Sequence, residues 1–179
     1  GMAVDDEEGR LSGVRHPASL DVGWDAPSLI IRRWTMTADR TPPISDGLAW
    51  AAERGMGALA EKMGIVFTEF TIERSVATMP VEGNTQPVGL LHGGAYVVLG
   101  ESLGSMAANL HAGPDKLAVG VDINATHTRS ATSGIVTGVC TPLHLGRSMT
   151  VHDIVVTDDQ GRRCSTIRIT NLIKDRPVT

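Results

Sequence analysis

One apolar stretch, residues 93–110, constrains the fold more than any other part of the sequence. It opens with Gly93-Gly94, contains a single formally charged side chain, Glu101, and ends before Gly113-Pro114, a pair that stops helices. The apolar residues do not form one stripe, so a helix over this stretch must be covered on several sides. A carboxylate in such a helix is costly to bury unless it is paired, which makes Glu101 a candidate functional residue.

Extended segments flank this helix on both sides. Residues 64–81 are predicted to form two strands that separate around Glu73-Arg74. Four more strands are predicted at residues 117–129, 135–143, 147–157 and 162–173. Short turns between them, such as Asp158-Asp159-Gln160-Gly161, indicate antiparallel pairing. The sequence therefore predicts an α+β fold in which a curved antiparallel sheet of about six strands wraps one long central helix.

The first part of the chain differs in composition from the rest. Residues 1–45 are predicted to be an N-terminal extension, with a tag remnant at Gly1, an acidic tail that includes residues 5–8, and a possible short strand at 29–34. The folded domain is predicted over residues 46–179. Its first helix is expected to begin at Ser45 or Asp46 and to run to about Lys62.

Composition excludes several classes of protein. The chain has 179 residues, a net charge of −4 and no basic run longer than a pair, which argues against nucleic-acid binding. Glu101 and Asn109 argue against a membrane-spanning role for the long helix. Two cysteines and no signal peptide favour a cytoplasmic protein in which Cys140 and Cys164 are free core thiols. No two of the six histidines have metal-ligand spacing, so no metal is expected.

Several motifs carry a resemblance to a known family. Gln86-Pro87 precedes His92-Gly93-Gly94 at a short distance, and Glu101 and Ser105 follow. Further matches are the segments 124–127 (NATH), 138–147 (GVCTPLHLGR) and 159–164 (DQGRRC). This set resembles the hot-dog-fold acyl-CoA thioesterases of the PaaI-like family, in particular those that proofread enterobactin synthesis or cleave dihydroxynaphthoyl-CoA. The resemblance covers about residues 46–174, and the chain departs from it at the N-terminal extension and at Ser130, where the family commonly has proline.

Three residues are predicted to carry the chemistry of thioester cleavage. Amides at a helix start lack intrahelical acceptors, so those of the Gly93-Gly94 pair could stabilise an oxyanion, and the resemblance implies Gly93. The alternative is that the glycines only permit a tight turn. Glu101 is predicted to be the nucleophile or the general base, with a structural hydrogen-bond network as the alternative. Ser105 lies one turn later on the same face and could hold the carboxylate, or could simply be a small packing residue.

The resemblance adds Gln86 and His92 to the predicted catalytic residues and assigns further residues to substrate binding. Gln86 and His92 are expected to orient the thioester, and His92 could donate to the carbonyl oxygen or to the leaving sulfur, unless it only fixes the loop. Five residues are expected near coenzyme A or the acyl group, with surface charges or strand-edge caps as the alternative for the four that are His or Arg. These residues are Gly94, His127, Arg129, His144 and Arg147.

Helix geometry predicts that each site needs two chains. Gly93 and Glu101 are eight positions apart, which corresponds to about 12 Å along a helix. One carbonyl group cannot contact both residues, so the amide and the carboxylate must come from different copies. A homodimer is therefore expected, and the resemblance implies that two dimers pair further into a dimer of dimers (a homotetramer).

These observations predict hydrolysis of acyl-CoA thioesters with an aromatic or medium-sized acyl group. Coenzyme A is then part of the substrate, and no separate cofactor is expected. Met79, Val81 and Val88 are predicted to line an apolar acyl site. Two alternatives remain: a hot-dog hydratase or dehydratase that acts on acyl thioesters by proton transfer, and a non-catalytic acyl-CoA-binding module.

Overall fold

The computed structural model describes residues 47–176, apart from the side chains of Trp50, Ala52 and Arg54. The predicted N-cap at Ser45 or Asp46, the extension over residues 1–45 and its possible strand lie outside the described residues, and the boundary at residue 46 stays a prediction. The elements in chain order are α1 (Gly47–Arg54), α2 (Ala58–Lys62), β1 (Val66–Phe70), β2 (Ser75–Pro80), α3 (Gly93–Ala112), β3 (Lys116–His127), β4 (Ile135–Leu145), β5 (Met149–Thr157) and β6 (Arg163–Asp175).

The single helix expected up to Lys62 is wrong, because two short helices occupy this segment. Gly55 and Gly57 between them have φ angles of 73° and 82°, a backbone conformation that interrupts an α-helix. The apolar residues of these two helices divide between the core and the surface. Ala51 and Ala60 are buried, whereas Leu48 and Leu59 are exposed.

The long helix α3 lies in the core, as its apolar composition predicts. Leu99 and Leu103 are completely buried. The helix begins after His92, and Gly113, with a φ angle of 82°, caps its C-terminal end. Gly100 and Gly104 face the sheet, and a Cβ atom on Gly100 would lie 2.8 Å from Ile167 Cδ1. The small residues of α3 therefore permit close helix–sheet packing.

One antiparallel sheet of six strands, in the order β1-β2-β4-β5-β6-β3, packs on this helix in the described part of the chain. The prediction of six antiparallel strands is confirmed. Short turns do join β4 to β5 and β5 to β6. However, β3 pairs with β6 rather than with its successor β4, so it forms an edge of the sheet. Residues 128–134 make the crossover, and Gly134 and Ala131 accept backbone hydrogen bonds from Val81 and Leu91.

The hairpin between β5 and β6 is fixed by a buried carboxylate. Asp158 Oδ1 accepts the backbone amides of Gln160 at 3.0 Å and Arg162 at 2.9 Å, and the Arg162 side chain contacts Oδ2. Burial works against the ionised carboxyl, but these hydrogen bonds outweigh it and hold the pKa of Asp158 below its usual value. The predicted turn is confirmed.

Both cysteines are free and buried, as predicted. Burial, with a smaller contribution from Asp153, raises the pKa of Cys140 to about 12. None of the helices in the described range combines the length and the apolarity needed to span a membrane.

Candidate active site

The first turn of α3 leaves one backbone amide available to a ligand. His92 is the N-cap residue, and its Nδ1 accepts the amide of Gly94 at 2.9 Å. The amides of Ala95 and Tyr96 are directed to the carbonyl oxygen of His92. The amide of Gly93 has no acceptor among the described residues. It is therefore the first-turn donor that can serve a substrate oxygen at the positive end of the helix dipole.

The capping hydrogen bond also fixes the state of the His92 ring. An amide can only donate, so the accepting Nδ1 carries no proton, and the neutral ring must carry its proton on Nε2. The side chain is exposed. His92 therefore fixes the loop and still presents a donor next to the free Gly93 amide, so the two roles considered for it do not exclude each other.

Glu101 lies in the middle of α3 and is half-buried. The hydroxyl group of Ser105 donates to Glu101 Oε1 at 2.9 Å, as the one-turn spacing predicts. Gly120 of the edge strand β3 packs against the same carboxylate, and a Cβ atom there would lie 2.7 Å from Oε1. Glycine at position 120 thus leaves the space that the Glu101 side chain occupies.

Two asparagines next to this pair were not predicted as site residues. Asn171 on β6 is fully buried and donates through Nδ2 to Ser105 Oγ at 3.1 Å. Asn109 on α3 donates to the carbonyl oxygens of Ser105 and Ala118 and accepts the amide of Ala118. Only one feature of the sequence points to Asn171. Alternate residues of β6 face the core, and Asn171 is polar at such a position, whereas Ile169 and Ile173 are apolar.

The residues predicted to bind coenzyme A or the acyl group divide between the two ends of α3. His127 lies at the helix start, where a Cβ on Gly93 would be 3.1 Å from its Nε2, and its Nδ1 lies 3.0 Å from Ser165 Oγ. The exposed Arg129 follows closely in the chain.

The other two residues lie elsewhere: His144 is near the end of β4, and Arg147 is in the β4–β5 connection, which is tied to the other end of the helix. There, Nε2 of His111, in the last turn of α3, lies 3.0 Å from the carbonyl oxygen of Gly146. The helix has 20 residues, so its ends are roughly 30 Å apart. One chain does not bring the two groups together.

Gln86 lies in the loop before the helix and is half-buried, with its backbone amide bonded to Leu90 O at 2.8 Å. The predicted acyl lining is not formed as expected. Met79 and Val81 are fully buried in the core, whereas the side chain of Val88 is 73% exposed. Within residues 47–176, no group of three or more His, Cys, Asp or Glu side chains is arranged to hold a metal ion.

Comparisons with known proteins agree with this fold. The model of the family "Thioesterase superfamily" matches residues 88–165. Over 119 residues the chain is 48% identical to the proofreading thioesterase EntH of Cronobacter sakazakii, an alignment that covers 66% of this chain and 87% of that relative.

Solved structures extend the comparison to the fold. A single-residue variant of a Pseudomonas aeruginosa thioesterase is 38% identical, with a TM-score of 0.70 over 74% of this chain and 96% of the other. The E. coli PaaI protein is 22% identical, with a TM-score of 0.64 over 73% of this chain and 94% of that chain, a likeness of fold alone. The chain therefore belongs to the thioesterase superfamily, has the PaaI-like hot-dog fold and is a thioester hydrolase.

Proposed function

We propose that this protein hydrolyses acyl-CoA thioesters in a site shared by two copies of the chain. In this proposal, one copy provides Glu101 and the other provides the amide of Gly93. The observation that carries the proposal is the division of functional groups along α3. A free amide lies at its start and a carboxylate held by Ser105 lies in its middle, about 12 Å away.

The reaction consumes one water molecule and yields a carboxylic acid and a thiol. The Gly93 amide donates to the thioester oxygen and stabilises the negative charge that develops there. Glu101 either attacks the carbonyl carbon, giving an acyl-enzyme anhydride that water then hydrolyses, or removes a proton from an attacking water molecule. In both cases the carbon–sulfur bond breaks and the thiolate takes up a proton. In this proposal, the N–H group at Nε2 of His92 donates to the thioester oxygen or to the leaving sulfur.

The exposed edge of the sheet supports a two-chain site. β3 pairs with β6 along one side and has no strand on its other side within the described residues. It is 12 residues long, and Val121 on it is 59% exposed. A long unpaired apolar edge is a template for pairing with another strand. Because Gly120 of this strand touches Glu101, a second copy paired at β3 would lie close to the carboxylate.

The proposal extends to the acyl group, the oligomeric state and the location of the protein. They are an aromatic or medium-sized acyl group, a homodimer that pairs further into a homotetramer, and a cytoplasmic location. Values of kcat/KM for benzoyl-, phenylacetyl- and linear acyl-CoA substrates would identify the acyl class. Gln86, His127, Arg129, His144 and Arg147 are proposed to orient or bind the substrate.

The first test measures release of free thiol from acyl-CoA substrates by the wild type and by Glu101→Ala. Loss of the nucleophile or base should lower kcat at least about 100-fold. Equal rates in the two proteins would end the proposal. Appearance of an enoyl-CoA absorbance without thiol release would indicate the hydratase alternative, and tight binding without turnover would indicate the binding module.

A second test removes only the Gly93 N–H group. Proline is well tolerated at the first position of a helix, and His92 has the extended conformation that proline favours in its predecessor (φ −65°, ψ 135°). Gly93→Pro should therefore fold and lower kcat about 100-fold or more. Gly93→Ala is the matched control, because it adds the same Cβ next to His127 but keeps the amide donor. If both variants lose the same activity, the amide has no role of its own.

A further inference from the structure

Asn171 on β6 belongs to none of the motifs that indicate thioesterase activity, yet it reaches the proposed carboxylate through one intermediate. Its Nδ2 donates to Ser105 Oγ at 3.1 Å, and that hydroxyl donates to Glu101 Oε1 at 2.9 Å. We propose that Asn171 is a positioning residue that orients the Ser105 hydroxyl and thereby holds the Glu101 carboxylate for catalysis. This inference rests on the function proposed for Glu101.

The direction of the two hydrogen bonds follows from the number of hydrogens available. Ser105 has one hydroxyl hydrogen, and an ionised Glu101 can only accept. If the Asn171 amide were reversed, its oxygen and the carboxylate would compete for that single hydrogen. With the amide nitrogen toward Ser105, the hydroxyl oxygen accepts from Asn171 and its hydrogen is directed to Glu101. Asn171 therefore prevents the hydroxyl group from rotating away.

Stability does not explain an asparagine at position 171. The side chain is completely buried, and its Oδ1 atom has no partner among the described residues. A buried unpaired carbonyl oxygen destabilises the fold, and an apolar side chain of similar size would avoid this cost. Ile169 and Ile173, the next core-facing residues on either side, show that the strand accommodates apolar groups here.

Strand register places a second contact opposite Asn171. Gly120 of β3 is the cross-strand partner of Asn171, and the ladder shifts register directly after it, between Gly120 and Asp122. Gly120 lies against Glu101 Oε1, the oxygen that receives the Ser105 hydrogen bond. The paired residues thus restrict the position of the Glu101 carboxylate in two ways. Gly120 on β3 contacts it directly, and Asn171 on β6 acts on it through the hydrogen bond to Ser105.

The test is a double-mutant cycle on kcat with Asn171→Leu, Ser105→Ala and the combined variant. Asn171→Leu should lower kcat about ten-fold, the effect of one lost hydrogen bond, while KM stays within about two-fold and Tm does not fall. In the Ser105→Ala background the same substitution should have no further effect on kcat, because the hydroxyl group that links Asn171 to Glu101 is already absent. Asn171→Asp, nearly the same shape but without the donor, should also lose kcat.

The matched control is Thr150→Val. Thr150 is the cross-strand partner of Asn171 on β5, it is equally buried, and its hydroxyl group has no hydrogen-bond partner among the described residues. This variant should keep the wild-type kcat.

Three results would overturn the inference. They are an unchanged kcat in both Asn171 variants, losses that add in the double mutant, or the same loss in Thr150→Val. The first of these, together with an inactive Glu101→Ala, would reject the role of Asn171 and leave the proposed function intact. An active Glu101→Ala would reject the function itself.

Discussion

At the scale of single residues, the core side of β5 and β6 contains polar side chains that a purely structural core would not need. Thr150, His152 and Asn171 are at most 1% exposed, and each has a polar atom without a partner among the described residues. Such groups lower stability, so the presence of each calls for an explanation. For Asn171 the function proposed is positioning of Ser105. For His152, the consequence is a specific dependence of stability on pH.

Stability should fall in acid because His152 resists protonation in the folded state. Burial, with a smaller repulsion from His111, lowers its pKa from 6.5 to about 4. The unfolded chain takes up this proton below pH 6.5, and the native protein does so only near pH 4. The free energy of unfolding therefore contains the full contribution of neutral His152 above pH 6.5. As pH falls from 6.5 toward 4, the free energy of unfolding decreases by up to about 3 kcal/mol. Urea unfolding at several pH values measures this loss.

His152→Leu is the control for this prediction. The rest of the chain is the same in both proteins, so the difference in unfolding free energy between wild type and variant reports the contribution of His152. That difference should shift in favour of the variant as pH decreases from 6.5 to 4. A difference that is constant over this range would contradict a lowered pKa for His152.

At the scale of elements, packing of α3 on β6 depends on the absence of side chains at two positions of the helix. Gly104 faces Ile169, and Gly100 faces Ile167. Both isoleucines are β-branched residues of a central strand and are completely buried, so they have little freedom to move.

Gly104→Ala should destabilise the fold by up to about 2 kcal/mol. Alanine favours helix by up to about 1 kcal/mol over glycine, but a methyl group that meets Ile169 forces overpacking that costs about 1–3 kcal/mol. The overpacking term should therefore exceed the helix term, and Tm should fall. Ser102→Ala, a half-buried position on the same helix whose hydroxyl only bonds back to Val98, is the control and should change Tm little. A rise in Tm for Gly104→Ala would show that the helix and the sheet can separate without cost.

At the scale of the whole molecule, a site shared by two chains can be tested by complementation, because the Gly93 amide and the Glu101 carboxylate would then come from different chains. A 1:1 mixture of Glu101→Ala and Gly93→Pro chains, refolded together, should form mixed dimers in half of the cases. In each mixed dimer, one site combines both defects and the other combines an intact Glu101 with an intact Gly93 amide. The mixture should recover about a quarter of the wild-type thiol-release activity, although each variant alone is inactive. No recovery would mean that both groups act within one chain.

The sequence alone determined the features that depend on short separations. The start of α3 at Gly93, the contact of Ser105 with Glu101 one turn away, and the hairpin at Asp158 all follow from local geometry, which is the same in any fold that contains these elements. The break between α1 and α2 was missed, although Gly55 and Gly57 were visible, because helical periodicity continued across them.

Tertiary structure alone decided which distant residues meet. The pairing of β3 with β6 rather than with β4, the contact of Gly120 with Glu101 and the hydrogen bond from Asn171 to Ser105, 66 positions away, have no local signature beyond one polar residue at a core position. Alternation identifies the face of a strand that is buried but not the neighbour of that strand, because strand order is set by which arrangement best covers α3. For the same reason, the local pattern identified Glu101 and its partner Ser105, but not Gly120 and Asn171, which contact this pair from the sheet.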